Sequence, residues 1–377
     1  MGIVIGAWFV TAGFTVVEAG TLIAVQGVVV IIASVPFGIL SDTYGRRYLL
    51  IIGSFAGAIG LLAFALTLDF YILVAISVLL GLAEAAAVTT WNALLADLTD
   101  LSNRNRVFSL SFVMQNVSSG VGFALPAAFP ALGALLSMSS YALHRETLLL
   151  LGAASFITPI MAYILLKSHR ETHNPGRKFG GLKDTSTLAK FSVVAGTIGF
   201  GAGFVVPLIG SWFFLRFAVG DEISGPVLAL SSILIGFSAV ASPRLAGRFG
   251  QLRAIMLTTG SSMLFMLSMA FIPVFAFAAG VYVVRSALMN MAGPLLDSFS
   301  MSIFPADQRG IVSALTNITF RLPNSVSTYI GGFVLGAGLL QLPFYIASAL
   351  YIVGLSAFYL FFIASKKYVH ARTSVSG

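Results

Sequence analysis

Long runs of apolar residues alternate along this chain with short polar stretches. A helix that crosses a membrane needs about 20 mostly apolar residues, and the chain offers runs of this kind repeatedly. The predicted spans lie near 2–17, 20–40, 48–67, 70–95, 107–135, 147–166, 191–215, 224–243, 254–272, 274–299, 310–337 and 342–365. We therefore predict an all-α membrane protein with twelve transmembrane helices, six on each side of a single long polar segment.

The polar segment reads KSHRETHNPGRKFGGLKDTSTLAK and combines glycine, proline and both signs of charge. This composition is typical of a linker rather than of a folded domain. The predicted domains are a six-helix bundle over 1–166, a cytoplasmic linker over 167–190, a second six-helix bundle over 191–365 and a cytoplasmic tail over 366–377.

The first predicted span is short for a membrane helix. Only about 16 apolar residues lie between Met1 and Glu18, which is below the usual requirement. We expect either that this helix packs against its neighbours or that the true start of the chain lies upstream of Met1. The second alternative is the favoured one.

Composition and charge support a membrane location. Hydrophobic residues make up 58% of the chain and charged residues only 9%, against about 25% charged in soluble domains. Most of the 21 Lys and Arg residues fall on one side when both termini and the linker are placed there. The positive-inside rule makes that side the cytoplasm, and we expect the membrane to be a plasma membrane. The net charge of +8 is therefore explained by the orientation of the chain across the membrane, and we do not expect nucleic-acid binding.

Several kinds of chemistry are excluded by the sequence. It contains no cysteine, no phosphate-binding loop of the Walker type and no cluster of histidines and carboxylates suited to a metal. All four histidines fall in predicted loops or tails, namely His144, His169, His173 and His370. We therefore expect no cofactor and no enzymatic activity.

One loop, GILSDTYGRR at residues 38–47, carries a distinctive charged pattern between two apolar runs. Gly45 permits a tight reversal that a residue with a Cβ would resist. Arg46 and Arg47 favour the cytoplasmic face. Asp42 lies next to the membrane, where a carboxylate needs a partner such as an Arg or the N-terminus of a helix.

A degenerate copy of this loop, SPRLAGRFGQLRAI, occupies residues 242–255. Gly250 corresponds to Gly45, because each glycine follows an apolar run and precedes a short basic stretch. Gly247 stands where the first copy has Asp42. Paired halves of this size are typical of transporters built from repeats, with the binding site where the repeats meet.

The loop, its second copy and the twelve predicted spans resemble the major facilitator superfamily over essentially the whole chain. The resemblance implies two pseudo-symmetric six-helix bundles that rock around a central cavity, in a protein that works as a monomer. It also implies that Asp42, with Gly38, Gly45, Arg46 and Arg47, forms a gating motif that holds a cytoplasmic gate closed. The alternative is a loop that only sets orientation. A gating role is not expected for the second copy, which lacks the Asp.

Charged residues inside predicted spans are the best indicators of a site, because each costs about 2.5–3.5 kcal/mol at the centre of a bilayer. Glu84, Arg285 and Arg321 lie near the middle of their spans. A carboxylate in a low-dielectric cavity can exchange protons near neutrality. We predict that Glu84 binds a proton or a cationic group and that Arg285 binds an anionic group. The alternative is that these two residues pair and lock the halves together without contacting a substrate.

Two further polar patterns are candidates for substrate binding. Asn317, Arg321 and Asn324 are spaced to share one helical face, although Arg321 could instead have a structural role beside Pro323. Gln115 begins a stripe of polar and small residues on the fifth span. Such stripes also serve close helix packing.

These features predict a secondary active transporter that works by alternating access, with both termini in the cytoplasm. One interpretation is proton-coupled export of amphipathic or drug-like compounds, with Glu84 as the proton or cation site. The other is uptake or exchange of an organic anion or metabolite through Arg285 and Arg321. A non-transporting membrane receptor on the same fold is a third alternative, which the intact gating motif disfavours. The expected partners are a small-molecule substrate, protons and the lipid bilayer.

Overall fold

The computed structural model describes residues 12–99, 104–167, 184–304 and 309–364, and all regular secondary structure within them is helical. In chain order the α-helices are α1 (Val16–Tyr44), α2 (Arg46–Leu66), α3 (Phe70–Asp97), α4 (Arg104–Ala124), α5 (Phe129–Leu136), α6 (Ser140–Ser155), α7 (Ile157–Leu165), α8 (Thr185–Gly203), α9 (Ile209–Phe217), α10 (Asp221–Phe249), α11 (Gln251–Met269), α12 (Phe275–Ile303), α13 (Arg309–Gly336) and α14 (Leu342–Phe358). A 3₁₀ turn over Leu125–Ala128 joins α4 to α5, and a π-helical turn over Tyr359–Ile363 follows α14.

The helices confirm an all-α, multi-span membrane protein. Eight stretches in the described residues are long and apolar enough to cross a membrane, and a ninth is added if the bent helix α10 counts as one span. Two of the eight combine consecutive helices, α4 with α5 and α6 with α7. The first predicted span, 2–17, lies mostly in residues 1–11, outside the described part of the chain. The number twelve therefore stays a prediction.

Side-chain caps explain where two of the helices begin. At the start of α1, Thr15 Oγ1 accepts a hydrogen bond from the Glu18 N–H (3.2 Å), and Glu18 Oε2 accepts one from the Thr15 N–H (2.8 Å). This reciprocal pair is a capping box. At the start of α8, Asp184 Oδ1 accepts a hydrogen bond from the Thr187 N–H at 3.0 Å. The helix consequently begins before residue 191, the start predicted from polarity alone.

The span predicted near 191–215 is not one continuous helix, because the chain leaves the helical conformation between α8 and α9. Pro207 lies in this break, and a proline lacks an N–H and disfavours the helical conformation of the preceding residue. Phe204, Val205 and Leu208 are all buried there. Non-helical backbone at membrane depth is tolerated where protein covers it.

Helix α10 bends by 55° between Asp221–Ser238 and Ala241–Phe249. Pro243 follows the bend. A proline ring clashes with the carbonyl four residues earlier, which here belongs to residue 239, and it also removes one helical hydrogen bond. The bend therefore has an identifiable cause in the sequence.

The described helices form two compact units. Among the described residues, the N-unit comprises residues 12–99, 104–112 and 128–167, and the C-unit comprises residues 113–127, 184–304 and 309–364. Part of α4 thus belongs to the C-unit, where a Cβ added at Gly120 would lie 3.1 Å from the Ala229 carbonyl oxygen of α10. The domain boundaries at 166 and 191 stay predictions.

In the N-unit, α3 packs against both α1 and α2, and α2 also packs against α6 and α7. The core of this unit is apolar and includes Leu22, Leu61, Phe64, Leu73 and Leu148. In the C-unit, α8 packs against α13 and α14, while α12 packs against α10 and α11. Helix α11 also contacts α14, so these two groups of C-unit helices are joined.

Candidate functional site

The predicted gating motif lies at a corner between two helices that share one residue as their cap. Gly45 ends α1 and precedes α2, with φ at +104° and ψ at 138°. Its N–H donates to the Ser41 carbonyl oxygen at 3.1 Å. A positive φ is easily adopted only by glycine, so the tight reversal predicted at Gly45 is confirmed. Gly38 has open space around the position of a Cβ, so crowding by the described residues does not explain that glycine.

The two arginines after Gly45 bind backbone carbonyls near the ends of other helices. Arg46 Nη1 donates to the Ala93 carbonyl oxygen of α3 at 2.9 Å. Arg47 donates to the carbonyl oxygens of Tyr163 (3.4 Å) and Lys167 (3.3 Å) at the end of α7. Cations are favourable at the C-terminal ends of helices. These contacts tie the corner to α3 and α7. Asp42 lies in the last turn of α1, and its side chain is outside the described part.

The second copy of the motif forms the same corner in the C-unit. Gly250 ends α10 and precedes α11 with φ at +78° and ψ at 150°, and its N–H donates to the Ala246 carbonyl oxygen at 2.8 Å. Gln251 Nε2 then donates to the Leu295 carbonyl oxygen of α12 at 2.9 Å. This bond repeats the one from Arg46 to Ala93 with a neutral donor. The internal repeat predicted from the two glycines is confirmed as a repeat of backbone geometry.

Glu84 lies in the middle of α3 and is half-buried. Gln26 of α1 donates from Nε2 to Glu84 Oε2 at 3.0 Å. Gly81, one turn before Glu84, allows α1 to approach closely, since a Cβ there would lie 2.8 Å from the Gln26 carbonyl oxygen. The small residue thus brings the amide within reach of the carboxylate.

Arg285 lies in α12 and is almost completely buried, with 3% of its surface exposed. Its Nη2 donates to Tyr351 Oη of α14 at 3.1 Å, and its backbone carbonyl accepts from Ser262 Oγ of α11 at 3.0 Å. In the described residues, its Nε has no hydrogen-bond partner. Arg285 is therefore an interior residue of the C-unit, whereas Glu84 belongs to the N-unit.

The remaining predicted site residues lie on exposed helix surfaces. Arg321 and Asn317 are both exposed on α13, and Gln115 is exposed on α4. Asn324, predicted on the same face as Arg321, instead turns toward α8, where its Nδ2 donates to the Gly199 carbonyl oxygen at 3.1 Å. The polar side of α13 therefore serves helix packing at Asn324 and is exposed at Arg321.

The prediction that His144 lies in a loop is wrong. It belongs to the first turns of α6 and is 1% exposed. Its Nδ1 lies 2.7 Å from the Ser140 carbonyl oxygen, and its ring meets the edge of Phe129 with centroids 4.7 Å apart. The error arose because Ser139 caps α6 well before residue 147, the predicted start of that span.

Sequence reasoning missed the two residues that contact the predicted charges. Gln26 and Tyr351 are neutral polar residues in apolar spans, and each lies about sixty residues from its partner in the chain. No local pattern links positions so far apart. The described residues contain no group of three or more His, Asp or Glu side chains that could hold a metal ion.

Comparisons with known proteins agree with this geometry. A family model described as "Major Facilitator Superfamily" matches residues 1–328. A tetracycline resistance protein, class H, from Pasteurella multocida is 25% identical over 335 residues, which cover 82% of this chain and 78% of that protein.

Solved structures of transporters share the fold. A bacterial homologue of the human lysosomal transporter Spinster, inward-facing and unoccupied, has a TM-score of 0.73 at 14% identity, covering 99% of this chain and 94% of that one. The nucleoside transporter NupG, solved as a point mutant, has a TM-score of 0.70 at 14% identity and covers 95% and 94%. The human organic anion transporter MFSD10 has a TM-score of 0.62 at 17% identity and covers 94% and 88%.

Proposed function

This chain belongs to the major facilitator superfamily of secondary transporters of small solutes, and we propose that it exports amphipathic or drug-like compounds in exchange for protons. The observation that carries the proposal is Glu84, an acidic residue in the middle of a membrane-spanning helix with an amide bound to its carboxylate. Acidic residues at this depth are costly and are typical of proton and ion pathways.

The pair of Gln26 and Glu84 suits a group that gains and loses a proton. An amide donates through its NH₂ group to a carboxylate, and with the amide reversed its oxygen accepts from a carboxylic acid. Gln26 therefore stabilises both protonation states of Glu84 without a change in the backbone. The tetracycline resistance protein supports the cargo class, because removal of a drug from the cell is one way to confer resistance to it.

The gating motif fits a transporter that cycles between conformations. Arg46 and Arg47 fasten the corner at Gly45 to the ends of α3 and α7 within the N-unit. We propose that these bonds keep the corner rigid, and that Asp42 makes the contact that breaks and forms as the cytoplasmic gate opens and closes.

Uptake or exchange of an organic anion is the second candidate function, and Arg321 favours it. This side chain is exposed near the middle of α13, next to the exposed Asn317. A charged residue within a membrane span generally faces a water-filled cavity or a bundle interior rather than lipid. Arg321 would then contact the anionic group, whereas Arg285 lies in the bundle interior. The exposed Gln115 is a further candidate contact for either cargo.

The test uses proteoliposomes with an acidic interior and a trapped pH-sensitive dye. Tetracycline, a lipophilic cation or an organic anion is added outside, and proton release is followed for wild type, Glu84→Gln and Glu84→Asp. Glu146→Gln is the matched control, because Glu146 is an exposed carboxylate in the same unit. We expect tetracycline or the cation to trigger proton release in wild type and Glu146→Gln, a reduced signal in Glu84→Asp and none in Glu84→Gln.

Two results would contradict this proposal. If Glu84→Gln releases protons as wild type does, the carboxylate is not the proton site. If only organic anions change the internal pH of wild-type proteoliposomes, in either direction, the second candidate function replaces the first. The proposal also includes a plasma-membrane location, cytoplasmic termini, twelve spans and a monomeric state. Topology mapping tests the spans and the termini, and a mass measurement tests the monomeric state.

A further inference from the structure

We propose that Arg285 and Tyr351 form a binding site for a small inorganic anion, such as chloride, inside the C-unit. The site is separate from the proposed proton site and does not depend on which cargo the protein carries. It follows from the charge, the burial and the unused hydrogen-bond donors of these two side chains.

The charge of Arg285 requires compensation. A guanidinium stays protonated in proteins, and burying a charge without a partner costs several kcal/mol. The only side-chain hydrogen-bond partner of Arg285 in the described residues is the neutral phenol of Tyr351. Helices α11 and α14, which contact Arg285, contain no Asp or Glu.

The one acidic residue on α12 itself is too far away to compensate Arg285. Asp297 lies twelve residues further along the helix, which corresponds to about 18 Å at a rise of 1.5 Å per residue. In α11, α12 and α14, therefore, no carboxylate lies within reach of Arg285, and the bound anion supplies the counter-charge.

Arg285 and the neighbouring turn of α14 carry hydrogen-bond donors that have no acceptor in the described part of the chain. The Nε–H of Arg285 is buried and has no acceptor in the described part of the chain. Tyr351 Oη accepts from Arg285 Nη2, and no acceptor for its own hydrogen occurs among the described residues. One turn before Tyr351, the buried Ser348 Oγ has no hydrogen-bond partner in the same part of the chain. An ion with several lone pairs accepts from all such donors at once.

Burial limits the anion to a small one. Arg285 is 3% exposed, Tyr351 is fully buried and Ser262 beside them is fully buried. An organic anion would have to place a hydrocarbon body in this close-packed interior. A monatomic anion needs only the space of about one water molecule, and halides are weakly enough hydrated to be held by a guanidinium and a phenol.

The experiment measures thermal unfolding of the purified protein in detergent while sodium chloride is replaced stepwise by sodium gluconate at constant ionic strength. A ligand that binds only the folded state raises the melting temperature as its concentration exceeds the dissociation constant. We expect wild type to melt at a higher temperature in chloride than in gluconate, with a saturable dependence on chloride. Bromide should substitute for chloride.

Two variants and one control locate the effect. Tyr351→Phe removes the phenolic hydroxyl, which donates to the anion and accepts from Arg285 Nη2. It should raise the chloride concentration at the midpoint about tenfold or more, because a hydrogen bond to a charged group is lost. Arg285→Leu should melt at the same temperature in both salts, and in gluconate it should be at least as stable as wild type. Arg253→Leu removes an exposed arginine of α11 in the same unit and should keep the full chloride response.

The proposal is overturned if wild type melts identically in chloride and gluconate, or if Arg285→Leu keeps the chloride response. Should Arg285→Leu not fold, the decision rests on Tyr351→Phe and on the linewidth of the ³⁵Cl resonance with wild-type protein. If the protein broadens the ³⁵Cl resonance and added bromide narrows it again, the site is supported. If the protein leaves the ³⁵Cl resonance unbroadened, the site is refuted. None of these readouts involves transport, so failure here leaves the proposed export intact, and failure of export leaves this site intact.

Discussion

The close contact between α8 and α13 provides a sharp test of how this fold is held together. Gly203 presents its backbone to α13, where its carbonyl oxygen accepts from Thr328 Oγ1 at 3.1 Å. A Cβ on Gly203 would collide with Ser327 Oγ and with the Asn324 carbonyl oxygen. A hydroxyl rotates away, but a backbone oxygen does not. In Gly203→Ala the two helices must therefore move apart.

The expected loss of stability follows from three terms. Overpacking of a close contact costs about 1–3 kcal/mol. Separation of the helices also breaks the bonds from Thr328 to Gly203 and from Asn324 to Gly199, each contributing about 0.6 kcal/mol in a membrane protein. Alanine returns about 0.5–1 kcal/mol because it is the better helix former. The net loss in the free energy of unfolding is about 1–4 kcal/mol.

The assay is reversible unfolding by SDS in mixed micelles, followed by far-ultraviolet circular dichroism. Gly280→Ala is the matched control, because Gly280 lies in α12 with no described atom within 4 Å of its Cβ position. That variant should be as stable as wild type or slightly more stable. Equal stability of Gly203→Ala and wild type, or equal destabilisation of both variants, would refute the close packing of α8 on α13.

Two further substitutions test single hydrogen bonds. Gln26→Met keeps the length of the side chain but removes the donor to Glu84. Because a hydrogen bond to a charged group contributes about 1.5–3 kcal/mol, we expect substrate-dependent proton release to slow about tenfold or more. An unchanged rate would exclude a positioning role for Gln26. Gln251→Met removes the hydrogen bond to the Leu295 carbonyl oxygen and should lower the free energy of unfolding by about 1 kcal/mol. Gln251→Arg should keep wild-type stability, because Arg46 makes the equivalent bond in the other unit. A Gln251→Met variant as stable as wild type would show that the bond is dispensable.

Much of the architecture follows from the sequence for simple physical reasons. Apolar runs long enough to cross a bilayer predict most of the observed helices, and the two glycines followed by basic stretches predict both corners. The errors occur where a single residue overrides the hydropathy pattern. Pro207 interrupts a run that is apolar throughout, and Asp184 starts a helix inside a polar stretch.

The site is less predictable than the fold. Glu84 and Arg285 stand out in the sequence because a charge in an apolar run is conspicuous, but their partners do not. Gln26 and Tyr351 carry no charge, and which side of a helix they face depends on packing with distant segments. The burial of Arg285 and the exposure of Arg321 differ for the same reason, since both occupy the middle of similar helices.

The corners at Gly45 and Gly250 have a mechanical consequence. Each joins two long helices through one residue, so the angle between those helices is governed by just two soft torsions, φ and ψ of the glycine. No loop residues lie between the two helices, so a movement of one helix cannot be taken up by a flexible linker before it reaches the other. Each corner therefore transmits a movement of one helix directly to the next, and the described residues contain one such corner in each unit.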